Sequence, residues 1–440
     1  MENNMYVSSL CDGVSFRSIR ETRFKDSILS VHFLLPLSRE NATVNAVMST
    51  LLFRTCAKYP GYDSLRRALA MLYGADVSTS VANLGSSQMI TVEIQMNDDR
   101  FIPGNEPVSV ECAELLSELI FRPLRDGDGE PFTDEEVAIA VRTTKERIEA
   151  RINNKELYAL HRMKDIMCEN EIISVEAGGY IEDLPGMTRA ALAQAWRRML
   201  RTATVNIIMV GGAAHEPVES IFAREFNKVE RCPQPLPEPP AKKAVEREKR
   251  AIERMDVAQC KMMVGMRIPI IEPDDRAIAA KLMSILYGGS PTSLLFENLR
   301  EKLSLCYYCS SVYLRASGLL LVSCGLEEEN VDMAVGEIKQ QLAVLAGNEF
   351  SEDVFNASKL YAISGYEQIH DSVESIENWY CMQFLDGCVR TPEQAAERMM
   401  AVTRAQVAEC ASLVQVDTVY LLAPQEDEES GGEEGGEAGE

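Results

Sequence analysis

The sequence predicts an α+β protein of two homologous domains, each a mostly antiparallel sheet with helices packed on it. Three observations support this fold class: a length of 440 residues, strand-like runs that alternate with helical patterns, and a proline-rich segment near the middle. That segment, "RCPQPLPEPPAKKA", spans 231–244 and interrupts the periodic patterns. We therefore expect an N-terminal domain over 1–230, a linker over 231–244 and a C-terminal domain over 245–425.

The two sides of the linker match each other in order, which indicates an internal duplication. Each copy begins with a strand-like run that reaches an apolar–proline step, "VHFLLPL" or "GMRIPII", and continues with a helical pattern, "NAVMSTLLF" or "AAKLMSILYGG". A helix leading into a strand follows, "LRRALAMLYGADVSTSV" or "LREKLSLCYYCSSVYLR". Arg66 and Tyr73 match Arg300 and Tyr307, because both offsets are equal (300 − 66 = 307 − 73 = 234).

Later elements also correspond. "FTDEEV" at Phe132 and "FSEDVF" at Phe350 each place a Thr or Ser N-cap before an acidic first turn, so both predict the start of a long helix. Each copy then closes with a helix and a strand, "VNIIMVGG" or "TVYLLAP". The terminal segment 426–440, "EDEESGGEEGGEAGE", has no apolar anchor and is predicted to be a disordered acidic tail.

Composition excludes several classes of function. A formal charge of −24 without a basic stripe disfavours nucleic acid as a partner. The sequence has no basic and apolar leader and no run of 18 apolar residues, so we expect no membrane association and a cytoplasmic location. The 12 scattered cysteines suit reduced thiols, and the pair Cys306 and Cys309 in "CYYC" is predicted to pack in the core. None of the four histidines has a partner at metal-ligand spacing.

One stretch of the second copy carries a family resemblance. It contains the turn Gly288–Gly289, then Ser293 and Phe296, then Leu-Arg-Glu-Lys and a tyrosine seven residues after the arginine. Together with the order of elements, it resembles the pitrilysin/insulinase family of zinc peptidases, which includes the mitochondrial processing peptidase. The likeness covers nearly all of residues 10–425. In that family two such domains form one unit, and two units enclose a chamber around an unfolded peptide.

The resemblance also shows what this chain lacks. Catalytic members carry the zinc motif H-x-x-E-H on the first helix of the first domain. Here Ala46 and Thr50 stand where the two histidines would be, and Ser49 replaces the glutamate. The third ligand, a glutamate on the later helix, falls at Glu146 or at Arg147, and the alignment leaves both open. We expect no metal in this chain and zinc in a partner subunit.

In the family, an arginine and a tyrosine of the second domain hold the substrate across the chamber from the zinc. A guanidinium and a phenol suit this task because both donate hydrogen bonds to carbonyl or developing oxyanion oxygens. The resemblance therefore implies a catalytically incomplete subunit of a heterodimeric peptidase. Its homologous partner would supply zinc and H-x-x-E-H, and Arg300 and Tyr307 would orient a peptide or unfolded polypeptide.

This pattern is similar to the inactive, insulinase-like member of paired bacterial proteins labelled as associated with elongation factor P modification. Two other interpretations stay open. The chain is a non-enzymatic scaffold or interaction protein derived from the same fold, or it is a peptidase with a relocated metal site. The pair itself also has a structural interpretation, in which Arg300 pairs with Glu297 or Glu301 on its helix and Tyr307 packs in a strand.

Overall fold

A computed structural model of the chain describes residues 4–238, 243–384 and 388–425, so the predicted tail at 426–440 lies outside the described residues. In the first half the strands are β1 (Met5–Cys11), β2 (Val14–Arg20), β3 (Asp26–Pro36), β4 (Asp76–Leu84), β5 (Ser87–Asn97) and β6 (Thr204–Gly211). The α-helices of this half are α1 (Arg39–Leu51), α2 (Tyr62–Met71), α3 (Val108–Phe121), α4 (Asp134–Glu149), α5 (Lys155–Met167), α6 (Arg189–Thr202) and α7 (Glu216–Phe226).

The second half repeats this order with fewer strands. Its strands are β7 (Lys249–Met255), β8 (Cys260–Arg267), β9 (Cys306–Leu314), β10 (Leu319–Leu326) and β11 (Gln415–Pro424). Its α-helices are α8 (Ala277–Ser284), α9 (Val331–Ala346), α10 (Glu352–Glu367), α11 (Val373–Met382), α12 (Pro392–Ala401) and α13 (Arg404–Ser412). Two π-helical segments, Ile285–Gly289 and Phe296–Lys302, lie between α8 and β9.

The two sheets share one topology. The first has the strand order β1-β2-β6-β3-β5-β4 and the second has β7-β11-β8-β10-β9, so the orders coincide once β1 is set aside. In each sheet one neighbouring pair is parallel, β2 with β6 and β7 with β11, and the other pairs are antiparallel. The predicted fold class, two related α+β units with mostly antiparallel sheets, is confirmed.

The central strand β3 is buried on both faces, and its sequence shows why. Alternate side chains point to opposite faces of a sheet. Leu29, Val31 and Phe33 belong to the core formed with the helices of the first half, whereas Ile28 and Leu34 contact Val373, Ile376, Tyr380 and Cys381 of α11. Both faces of β3 are therefore covered, which explains a continuous apolar run where a one-sided strand would alternate.

The helix on the outer face of each sheet comes from the other half of the chain. Helix α11 covers β3 and β6 of the first sheet, and α5 covers β8 and β11 of the second. On α5, Met163 and Met167 are 0% and 2% exposed and pack against the second sheet. Burial of one such side chain stabilises the fold by about 2 kcal/mol. The two halves are thus joined by a reciprocal exchange of one helix each.

The beginning of the proline-rich segment is fixed to the first half. Arg231 donates hydrogen bonds to the carbonyls of Asp12 and Ala203, and the backbone N–H of Cys232 donates to Arg201 at 2.8 Å. Residues 239–242 of the predicted linker lie outside the described residues. Within the described part of the chain, we find no helix that combines the length and apolar character needed to cross a bilayer.

Candidate functional site

The first place to examine is the inner face of α1, where the family resemblance puts a zinc motif. Ser38 caps this helix by accepting a hydrogen bond from the N–H of Asn41. Ala46, Ser49 and Thr50 are 2%, 0% and 0% exposed. The hydroxyls of Ser49 and Thr50 donate to the carbonyl of Ala46 at 2.8 and 3.3 Å, so both bond to the backbone of their own helix.

Helix α4 supplies the facing wall of this position. The Thr144 hydroxyl lies 3.5 Å from the Thr50 hydroxyl. The side chain of Glu146 is 67% exposed and lies 4.0 Å from Arg142, on the solvent side of the helix. Burial and the nearby charge of Arg151 lower the pKa of Arg147. Of the two positions left open by the sequence, Glu146 is therefore directed away from α1, and the residue of α4 that meets Thr50 is a threonine.

The donor set between α1 and α4 does not fit a zinc ion. Zinc sites in proteins use imidazole, thiolate or carboxylate ligands. A methyl group and three hydroxyls, two of them bonded to a backbone carbonyl, offer none of these. The space between α1 and α4 is filled by small side chains that bond to the helix backbone or to each other.

A buried polar cluster on the outer face of the first sheet was not visible in the sequence. His32 Nε2 lies 2.6 Å from Glu377 Oε1, and His32 Nδ1 lies 2.9 Å from Thr91 Oγ1 and 3.5 Å from Cys381 Sγ. Burial alone would lower the pKa of His32, but Cys381 and Glu377 outweigh burial and raise it to about 10. Glu377 and Cys381 are more than 340 positions from His32, and only the packing of α11 on β3 brings them together.

Histidine, glutamate and cysteine are all metal ligands, and their ligand atoms here lie within 4.8 Å of one another. However, the carboxylate lies beside Nε2 and the thiol lies beside Nδ1. The lone pairs of the two imidazole nitrogens point away from each other. An ion bound to Nε2 would therefore be directed away from Cys381, and an ion bound to Nδ1 would be directed away from Glu377. The cluster is a buried hydrogen-bond network that joins the two halves.

Arg300 and Tyr307 line one small cavity of about 340 Å³ at the start of β9. The Arg300 side chain is 45% exposed, lies over the ring of Phe296 at 4.8 Å, and is 3.8 Å from Glu301. The hydroxyl of Tyr307 donates to Glu327 at 2.7 Å, and this hydrogen bond raises the pKa of Tyr307. The structure thus brings both predicted residues to one cavity, with the phenol already bonded to a carboxylate.

The residues next to Tyr307 have other contacts. The ring of Tyr308 lies under the ammonium of Lys261 at 5.0 Å. Cys309 is paired directly with Cys324 of β10, and their sulfur atoms are 3.1 Å apart. Cys306, which lines the cavity, completes a group of three buried thiols. Hydrogen bonds with Cys309 and Cys324, and the charge of Arg300, lower the pKa of Cys306.

The matching pair in the first half occupies a different position in the fold. Tyr73 has a positive φ of 57° and precedes β4, whereas Tyr307 lies inside β9. The β9–β10 ladder shifts register beside Tyr307, because Gly325 of β10 pairs with Tyr308 and Leu326 pairs with Cys306. Tyr307 is therefore a bulged residue of β9, whereas the β4–β5 ladder runs without a shift. The shared spacing of seven does not reflect a shared position.

Known proteins resemble this chain along almost its whole length. The sequence profile described as "Peptidase M16 inactive domain" matches residues 186–360. A protein of Bacillus subtilis (strain 168), "Probable inactive metalloprotease YmfF", is 27% identical over 410 residues, which cover 93% of this chain and 96% of that protein. The chain is therefore similar to inactive proteins of the pitrilysin-type (M16) peptidase family.

Solved structures share the fold of this chain. A conserved protein from Enterococcus faecalis V583 superposes with a TM-score of 0.85 at 23% identity. A protease from Helicobacter pylori and a peptidase M16 inactive domain from Pseudomonas fluorescens each give 0.76, at 13% and 15% identity. In all three cases the match covers 96% of this chain and 99% of the other. At these identities, the likeness establishes the fold.

Proposed function

We propose that this chain is the non-metal subunit of a heterodimeric, cytoplasmic zinc peptidase, whose homologous partner supplies the zinc and the H-x-x-E-H helix. One observation carries the proposal: Arg300 and Tyr307 open together into a cavity at the start of β9, while the inner face of α1 offers no zinc ligand. The chain would complete a chamber and bind a peptide or unfolded segment. Twelve free cysteines, nine of them buried, suit a reducing compartment.

The chemistry of the two side chains suits amide hydrolysis. The reaction passes through a tetrahedral oxyanion, and donors fixed before the reaction stabilise that charge. In the described chain no carboxylate oxygen lies within hydrogen-bond distance of the Arg300 guanidinium, since Glu301 is 3.8 Å away. Its fork of N–H groups remains available for substrate carbonyls. Tyr307 must exchange Glu327 for a substrate oxygen. The tyrosine is 58% exposed, so water lowers the cost of this exchange.

Co-expression with a homologue that carries H-x-x-E-H tests the proposal. In the co-purified pair, Arg300→Ala and Tyr307→Phe should each lower kcat/KM for an unfolded peptide by about tenfold to a thousandfold, because each removes one transition-state donor. Assembly, followed by size-exclusion chromatography, should be unchanged. Zinc should be present only in the pair. A lone chain that contains stoichiometric zinc and cleaves peptides would refute the proposal.

A second function, a scaffold or interaction protein, is favoured by one contact. Tyr307 is already bonded to Glu327 at 2.7 Å, as expected of a tyrosine that stabilises the start of its own strand. The scaffold hypothesis predicts that Arg300→Ala and Tyr307→Phe leave kcat/KM unchanged in any active pair. The same kinetic measurement therefore separates the two functions.

A further inference from the structure

A large cavity lies between the two halves and is separate from the cavity beside Arg300. Its volume is about 1140 Å³, slightly above the usual range of small-molecule sites. Its walls are the β4–β5 turn, the π-helical end of α8, the end of β9, and helices α10, α11 and α12. The cavity thus exists only when both halves are in place.

Aromatic rings form one side of this cavity. Trp379 and Tyr366 pack edge to face, with ring centroids 5.6 Å apart, and Tyr313 lies beside them. The indole N–H of Trp379 donates to the carbonyl of Arg390 at 2.9 Å, and the hydroxyl of Tyr313 donates to the carbonyl of Ile270 at 2.6 Å. Because these polar atoms are already bonded to backbone, the rings present apolar surface to an occupant.

One cation in the cavity has no carboxylate partner. The Lys281 ammonium donates to the Tyr366 hydroxyl at 3.2 Å and lies 4.3 Å from the centre of that ring. Within the described ranges, no carboxylate is within 4.0 Å of Lys281. Three other cations of the cavity wall are paired, Lys164 with Glu176, Arg398 with Asp275 and Arg315 with Glu272, and Arg390 also lines the wall. Lys281 is therefore a charge that an occupant can meet beside the Tyr366 ring.

The electrostatic setting of Lys281 favours an anionic occupant. Lys281 is an exposed residue, and its side chain lines the cavity. Burial, together with the charge of Arg315, lowers the pKa of Lys281 to about 8. A carboxylate beside this ammonium would gain a charge-assisted hydrogen bond, which is stronger than a bond between neutral groups.

We propose that this cavity binds a carboxylate carried on an apolar or aromatic body, with the carboxylate paired to Lys281 and the body packed against Trp379 and Tyr366. Two sources share this chemistry, the C-terminal residue of an apolar peptide and a free fatty or aromatic acid. The proposal does not depend on the peptidase function, because the site and all its residues lie within this chain.

Binding to the purified chain provides the test. The probes are N-acetyl-Leu-Phe, its C-terminal amide, decanoate and decanol, titrated by calorimetry and by tryptophan fluorescence. The chain has 2 tryptophans, and the other, Trp196, is buried in the first core and bonded to the Ile120 carbonyl. The fluorescence change should therefore come from Trp379, and Trp379→Phe should abolish it.

At least one acid should bind about tenfold to a hundredfold more tightly than its neutral counterpart, the range given by one hydrogen bond to a charged group. Preference for the peptide acid would identify a peptide C-terminus as the source, and preference for decanoate would identify a free acid. Equal binding of acids and neutral probes, or no binding of either acid, would overturn the proposal.

Variants at Lys281 make the test specific. Lys281→Met keeps the length of the side chain and should remove the preference for acids. Lys281→Arg should retain it. The matched control is Lys145→Met, an exposed lysine of α4 that pairs with Glu149 at 3.6 Å, and it should bind like the unmodified chain. If Lys281→Met folds, by circular dichroism, and still prefers acids, the assignment of Lys281 is wrong.

A pH series adds an independent readout. Tyr366 of α10 contacts Lys281, and the charge of Arg315 acts on it. The other titratable and charged groups of the cavity wall are Tyr313, Glu272, Asp274, Asp275, Lys164, Arg390 and Arg398. Burial raises the pKa of both tyrosines above the range of the experiment. Acid binding should therefore weaken as the pH rises through 8, where Lys281 loses its charge, and should stay constant in Lys281→Arg. An identical pH profile in the two proteins would contradict the role of Lys281.

Discussion

The two halves of the chain place the same helices against their sheets but present different side chains from them. When Met48–Ser49 is aligned with Met283–Ser284, Ala46 of α1 corresponds to Lys281 of α8. Ala46 is 2% exposed and closed in by α4, whereas Lys281 opens to the interdomain cavity. The two halves therefore share which helices pack together, but the side chains on the inner faces of these helices differ in chemistry.

The exchanged helices differ in the same way. Alignment of the strands at Pro36 and Pro269 makes His32 correspond to Gly265. Alignment of the helices at their Thr133 and Ser351 caps makes Glu377 and Cys381 correspond to Ala159 and Met163. A Cβ at Gly265 would lie 2.5 Å from the sulfur atoms of Met163 and Met167, so this contact is tightly packed and apolar. One junction between the halves is therefore a charged network, and the other is a methionine–glycine contact.

The largest expected effect comes from restoring the zinc motif on α1. Each substitution in Ala46→His/Ser49→Glu/Thr50→His forces a larger polar side chain into a closed site, at a cost of about 1–3 kcal/mol. The triple variant should lose about 4 kcal/mol or more in free energy of unfolding, measured by urea denaturation. The matched control Lys281→His, which faces open space, should lose less than about 1 kcal/mol. A stable triple variant with one bound zinc would show that α1 and α4 are not closed.

The next effect concerns the charged junction. Glu377→Ala leaves His32 buried without its carboxylate and should cost about 3 kcal/mol at pH 6. Glu374→Ala is the control, because Glu374 lies on the same helix but is exposed and only accepts a hydrogen bond from Gln95. Chemical denaturation of both variants would measure the difference. Equal losses would mean that the charge of Glu377 does not stabilise the junction.

Because His32 lies in this junction, we expect the free energy of unfolding to depend on pH. The pKa of His32, about 10 in the folded chain, is above its ordinary value of 6.5, so the folded state binds the proton more tightly. The stabilisation is complete below pH 6.5 and is lost as the pH rises from 6.5 towards 10. Glu93, whose pKa is raised by burial, also faces this group. Unfolding free energies measured across this range should fall in the unmodified chain and change less in Glu377→Ala.

The smallest effect is expected at the first-half pair that shares the Arg/Tyr spacing. Arg66 pairs with Asp76 at 3.0 Å and Tyr73 donates to Glu106 at 3.0 Å, and both pairs are exposed. Arg66→Ala and Tyr73→Phe should each change stability by less than about 0.5 kcal/mol. In the active heterodimer both should leave kcat/KM within about twofold. A loss as large as that of Arg300→Ala would show that both pairs bind substrate.

Much of this organisation could be predicted from the sequence because it is local. Strand alternation, helix periodicity and the Thr133 and Ser351 caps depend on neighbouring residues. The two α+β units and their order could therefore be predicted from the sequence. The absence of imidazole and carboxylate at positions 46, 49 and 50 is likewise a property of the sequence itself. By contrast, the spacing that Arg66 and Tyr73 share with Arg300 and Tyr307 was misleading, because spacing alone does not report strand register.

The duplication, the fold class and the absence of H-x-x-E-H all follow from residue types in a fixed order, so the sequence is enough to establish them. The exchange of α5 and α11, the contact of His32 with Glu377 and Cys381, and the position of Lys281 at the wall of the interdomain cavity are visible only in the folded chain. These features depend on contacts between residues far apart in the chain. Such contacts are set by packing of whole surfaces, and no local pattern encodes which side chains will meet.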